Sequence, residues 1–93
     1  MNKERTKELN DVDLLEENVS ISKIILYNDD VNTFDWVIEC LCEICKHELY
    51  QAEQCALLVH FKGKAIVKTG DFETLKPICE ALCDKSLSAV IEQ

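Results

Sequence analysis

Three consecutive turn formers, Asn28-Asp29-Asp30, separate a short β-branched, apolar run from an amphipathic one, and any fold for this chain has to be built around that junction. Asn and Asp side chains bond neighbouring backbone groups and tolerate unusual backbone angles, so the triplet reads as a loop leaving a strand. Ser22 to Tyr27 supplies that strand. Beyond the loop, Thr33 is placed as the N-cap of a helix from Phe34 to about His47, with Asp35 and Glu39 near its positive end. Adjacent carboxylates repel unless a cation or a donor-rich backbone faces them. The loop is therefore either a solvated surface turn or a receptor for a positive group.

The rest of the chain alternates between two periodicities. Phe34, Val37, Ile38, Leu41, Ile44 and Cys45 recur at three- and four-residue steps and form one buried stripe, with Trp36 and Cys40 turned toward a second contact. The stripe lapses at Lys46 to Glu48. A second helix, about Leu49 to Phe61, carries Ala52, Cys55, Ala56 and Val59 on one face, widened by Leu58 and Phe61, and Gly63 ends it. Lys64 to Lys68 reads as a second strand and Thr69-Gly70-Asp71 as a turn. Phe72 to about Asp84 is a third helix with Leu75, Ile78, Cys79, Leu82 and Cys83 inward. Proline is tolerated in the first helical turn, so Pro77 implies a start near Thr74 or a bend. Leu87 to Glu92 closes the pattern as the last strand.

The order β-α-α-β-α-β predicts an α+β fold, a small three-stranded antiparallel sheet packed against three helices. Residues 21–93 form the core domain, and residues 1–20, rich in charges of both signs, read as a flexible N-terminal extension. Hydrophobic residues at 47% and charged ones at 30% of 93 residues describe one domain that folds by itself. A formal charge of −8 argues against a nucleic-acid surface and favours a cationic or amine-bearing partner. Apolar runs such as Ala56-Leu57-Leu58-Val59 are far short of a membrane span, and the charged first twenty residues lack the apolar core of a signal peptide. The expectation is a cytoplasmic protein without membrane contact.

Six cysteines, at positions 40, 42, 45, 55, 79 and 83, admit two readings. Cys42 and Cys45, and Cys79 and Cys83, are spaced to share helix faces, so a metal or redox module is a rival reading for the whole chain. The other reading makes them free thiols acting as small buried hydrophobes. Of the two histidines, His47 stands between Lys46 and Glu48 and reads as solvated, whereas His60 closes the apolar run. No nucleophile with an identifiable base, Gly-rich phosphate loop or zinc-protease pattern is present in the sequence. The chain reads as a non-enzyme without a cofactor.

Two segments, Ile24-Ile25-Leu26-Tyr27-Asn28-Asp29-Asp30 and Val59-His60-Phe61-Lys62-Gly63-Lys64-Ala65, resemble the ClpS family, bacterial adaptors of the Clp AAA+ protease. The likeness runs from about Ser22 to Glu92. It implies a pocket for N-degrons, proteins that begin with Leu, Phe, Tyr or Trp, and their delivery to a Clp ATPase. Carried over position by position, Asn28, Asp30 and His60 hold the substrate's α-amino group, with Asp29 helping through water or its field. By the same resemblance Val37, Ala56 and Val59 line the side-chain pocket and Leu87 closes its floor. Where the family has Thr-Pro-Met, this chain has Asn32-Thr33-Phe34, which puts Phe34 in the place of a gatekeeping methionine. Ala56 stands where methionine is common, and Phe72 to Lys76 matches the ATPase-docking segment only loosely. A third reading is a generic interaction domain similar in layout to the C-terminal domain of the ribosomal stalk protein.

Overall fold

The computed structural model describes residues 21–93; the expected extension, residues 1–20, lies outside the described residues. Strand β1 (Ser22–Tyr27) turns Ile24 and Leu26 into the core and is the middle strand of the sheet. It pairs antiparallel with β2 (Lys64–Gly70) on one side and β3 (Ser88–Glu92) on the other. Helices α1 (Phe34–Ile44), α2 (Leu49–Lys62) and α3 (Phe72–Asp84) complete the order β-α-α-β-α-β. Leu41, Leu75 and Leu82, each fully buried, join Ile24 and Leu26 in one core. The expected architecture is the observed one.

Several boundaries and faces differ from the sequence reading, each for a local reason. Helix α1 stops at Ile44 and not near His47, because Lys46 takes a left-handed conformation (φ 63°) and the His47 amide folds back onto the Leu41 carbonyl at 3.3 Å. Nor is His47 solvated. It is 8% exposed, and its Nε2 lies 2.7 Å from the Val67 carbonyl oxygen. The partner is set by the sheet: Ile24 pairs with Lys68 and Ile25 with Ile66, so Val67 is the extra residue of a bulge. A bulged residue is left outside the ladder, and here a buried ring takes up its carbonyl.

Strand β2 continues through Thr69 and Gly70, which pair with Lys23 and Ser22, where a turn was expected. Helix α3 starts at Phe72 with Pro77 inside it, since Asp71 caps it by accepting from the Thr74 amide at 3.1 Å and the Thr74 hydroxyl at 2.8 Å. Strand β3 begins at Ser88, one residue later than expected. On α2, Ala52, Ala56 and Val59 are buried, but Leu58 and Phe61 face outward and do not widen the core face. Cys40 is buried and Trp36 half-buried, with the Trp36 indole N–H donating to the Lys85 carbonyl at 3.2 Å.

Gly63 ends α2 at φ 92°, and a Cβ added there meets nothing within 4 Å. Backbone strain is therefore the whole penalty for a side chain at this position. Gly63→Ala is expected to lower unfolding free energy by about 1 kcal/mol, read from urea midpoints at unchanged m-value.

Among the cysteines, Cys40, Cys45 and Cys79 are buried, Cys42 and Cys55 half-buried and Cys83 exposed. Burial pushes the thiols of Cys45 and Cys79 up to about 11 and raises those of Cys40 and Cys55. Zinc and redox sites use thiolates, whereas burial keeps these four protonated. Among the described residues, no three His, Cys, Asp or Glu side chains come together as metal ligands. A disulfide reagent at pH 8 should modify Cys83 first and Cys45 and Cys79 only as the domain opens; equal rates for all would contradict this packing.

Candidate functional site

The loop after β1 is fixed from both sides. On one side, the Asn28 amide donates to the Gly63 carbonyl at 2.9 Å, which ties the loop to the C-terminal end of α2 and sets Asn28 near His60. On the other, Thr33 caps α1 by accepting from the Trp36 amide at 3.1 Å. A small cavity of about 30 Å³ opens between these elements, lined by Asn28, Asn32, Phe34, Val37, Ala56, Val59 and His60. Seven of the ten residues singled out from the sequence thus meet at one place.

The polar and apolar members are segregated. Val37, Ala56 and Val59 are buried and form the inner wall, while Asn28 and His60 are exposed at the mouth. The His60 ring stands edge-on to Phe61, with centroids 4.9 Å apart and an interplanar angle of 81°. Phe34, 40% exposed, flanks the opening from the first turn of α1. Neutral imidazole and a side-chain amide each offer an acceptor, so the mouth can receive N–H donors above an apolar wall.

Three expected members lie apart from the cavity. Leu87 is buried in the core and does not border it. Asp30 stands exposed on the loop, and among the described residues nothing donates to its carboxylate. Asp29 is turned into the loop itself. Its Oδ1 accepts from the amides of Val31 and Asn32, both at 2.9 Å. Its Oδ2 accepts from Asn32 Nδ2 at 2.9 Å and from the Ser88 hydroxyl at 3.1 Å. Asn32 Nδ2 also donates to the Ser86 carbonyl at 2.8 Å. One of the two adjacent carboxylates is therefore met by a donor-rich backbone, and the other stands exposed.

This brace from Ser86 and Ser88 was not found by reading the sequence. The Asp29-to-Asn32 spacing of an Asx turn was its available signal, but partners more than fifty residues away carry none. The Asn32 backbone amide, followed by the other loop donors, holds the Asp29 carboxyl below the usual carboxylate range. A depressed folded-state value contributes stability above the ordinary carboxylate range, lost as pH falls through the folded value. Acid titration followed at the Val31 and Asn32 amides should therefore show the loop released only below about pH 4. Release well above that pH would show that Asp29 is not the clasp.

A family model described as "ATP-dependent Clp protease adaptor protein ClpS" matches residues 18–89. Proteins described as ATP-dependent Clp protease adapter protein ClpS, from Campylobacter jejuni subsp. jejuni serotype O:23/36 and C. jejuni subsp. doylei, are each 48% identical to the chain over 44 residues. That match spans 47% of this chain and 46% of either relative, so about half of each curated relative is covered. Among solved structures, Agrobacterium tumefaciens ClpS2 bound to L-phenylalaninamide superposes with a TM-score of 0.71 at 19% identity, over 77% of this chain and 94% of that one.

Proposed function

The chain belongs to the ClpS family of Clp protease adaptor proteins, and from that premise we propose that it binds proteins beginning with Leu, Phe, Tyr or Trp and delivers them to a Clp AAA+ ATPase. The observation that carries the proposal is the segregation of the cavity: Asn28 and His60 at the mouth, Val37, Ala56 and Val59 behind them. A protein N-terminus has the same division, an ammonium with three donors beside an apolar side chain. Asp30 on the adjoining loop supplies the negative charge that an ammonium needs, while Asp29 fixes the loop. The Agrobacterium relative's ligand, L-phenylalaninamide, combines a free α-amino group with an aromatic side chain.

At about 30 Å³ the cavity has room for roughly one water molecule, much less than a Leu or Phe side chain. Binding therefore involves displacement of a wall, and Phe34 is the large, part-exposed member of that wall. Burying a Leu or Phe side chain contributes about 1.5–3 kcal/mol and each hydrogen bond to a charged group about 1.5–3 kcal/mol. After the cost of association, roughly micromolar affinity remains. Fluorescence anisotropy with peptides differing only in the first residue tests the reading. Leu, Phe, Tyr and Trp peptides should bind and Ile and Val peptides bind more weakly; failure of all of them would contradict it.

A further inference from the structure

The helices pack on one face of the sheet, where Ile24, Leu26, Ala65, Val67 and Ala89 join the core. Strand alternation turns Ile25, Ile66 and Val90 to the opposite face. These three stand side by side, since Ile25 pairs with Ile66 in β2 and with Val90 in β3. Ile25 is buried yet stands outside the core cluster, and Ile66 and Val90 are exposed. A groove of about 310 Å³ follows this row, lined by Lys23, Ile25, Lys64, Ile66 and Glu92 among others. It shares no lining residue with the loop cavity and stands apart from the N-degron reading.

Charge narrows what can cover this face. The chain has a formal charge of −8, yet two lysines and one glutamate line the groove. Lys64 Nζ stands 5.8 Å from the centre of the Tyr27 ring, and among the described residues neither lysine has a carboxylate within salt-bridge distance. The fitting occupant is an apolar stripe flanked by carboxylates. Residues 8–20 hold Glu8, Asp11, Asp13, Glu16 and Glu17 and no basic residue. Val12, Leu15 and Val19 recur at three- and four-residue steps, with Asp11 four residues before Leu15 and Glu16 four after Val12, the spacing that flanks a helical stripe. Length agrees as well. Three Cα steps from Val19 to Ser22 reach about 11 Å, enough to climb the roughly 10 Å between stacked layers. Residues 11–19 wound helically cover about 14 Å, against about 13 Å for extended Lys23 to Tyr27.

We propose that residues 11–19 of this chain dock across the outer face of the sheet, Val12, Leu15 and Val19 lying on Ile25, Ile66 and Val90. Running back along β1 brings Glu16 toward Lys23 and Asp11 toward Lys64, which pairs with Tyr27 at the far end of the strand. The covalent tether makes this docking intramolecular, at an effective concentration of order millimolar, so a short apolar stripe suffices where a free peptide of the same sequence binds weakly.

The test is NMR on the full chain with labelled Ile, Leu and Val methyl groups. Nuclear Overhauser contacts are expected from the methyls of Val12, Leu15 and Val19 to those of Ile66 and Val90, unchanged on dilution and absent between differently labelled copies. Leu15→Asp should abolish them and speed amide exchange at residues 12–19 at least about tenfold. Ile66→Asp, changed from the other side of the contact, should do the same. Ile66 is half exposed and outside the core cluster, and unshifted methyls of Leu41 and Leu75 report that each variant folds. A wild-type chain without these contacts, contacts found only between copies, or contacts that survive in Leu15→Asp would overturn the proposal.

Discussion

His60→Ala should weaken binding of a peptide that begins with Leu or Phe at least about tenfold, and Asp30→Ala should do the same. Each substitution strips an acceptor or a counter-charge from a desolvated ammonium, worth about 1.5–3 kcal/mol. The two act differently. His60 stands at the cavity mouth and offers a ring nitrogen, whereas Asp30 contributes charge from the exposed side of the loop. Unchanged affinity in both alanine variants, with the fold intact, would rule the site out.

Exchanging Phe34 for Ala should admit Ile and Val as first residues. Its ring borders the cavity next to Val37 and Ala56, and removing it enlarges an opening that has room for little more than water. An apolar pocket discriminates one methylene by only about 1–3 kcal/mol, so a relaxed preference is expected, not a new one. Affinity for Trp should rise most, because the largest side chain needs the most displacement of this wall. The amine site is untouched by the change, and acetylated peptides should remain unbound. A Leu-to-Ile ratio unaltered by Phe34→Ala would show that another residue gates the pocket.

How much of this was legible beforehand follows the range over which each signal acts. The strand Ser22–Tyr27, the Thr33 cap and the Gly63 stop are local in the chain, and each stands where the sequence placed it. The meeting of Asn28 with His60 came from family resemblance, since no periodicity relates residues that far apart. What failed was non-local. His47 reads as solvated by its neighbours, yet a bulge at Val67 draws it inward. Leu58 and Phe61 read as core by spacing, yet α1 and β2 pack against α2, whose buried face carries Ala52, Ala56 and Val59. The bonds that Asp29 accepts from Val31, Asn32 and Ser88 carried no signal beyond the Asx-turn spacing. For Pro77 the late start near Thr74 is ruled out, because the Asp71 cap starts the helix at Phe72, five residues ahead of the proline.

The central claim is that one cavity reads a free α-amino group together with a bulky first side chain. Its most direct measurement compares two peptides identical except that one has a free amine and the other an acetylated one, each beginning with Phe and followed by fluorescence anisotropy. Acetylation removes the charge and two of the three donors while leaving the benzyl side chain in place. Micromolar binding of the free peptide and at least about a hundredfold loss on acetylation is the predicted result, the sum of about two charged hydrogen bonds. Equal binding of the two peptides would contradict the account, because it would mean that Asn28, Asp30 and His60 do not recognise the amine.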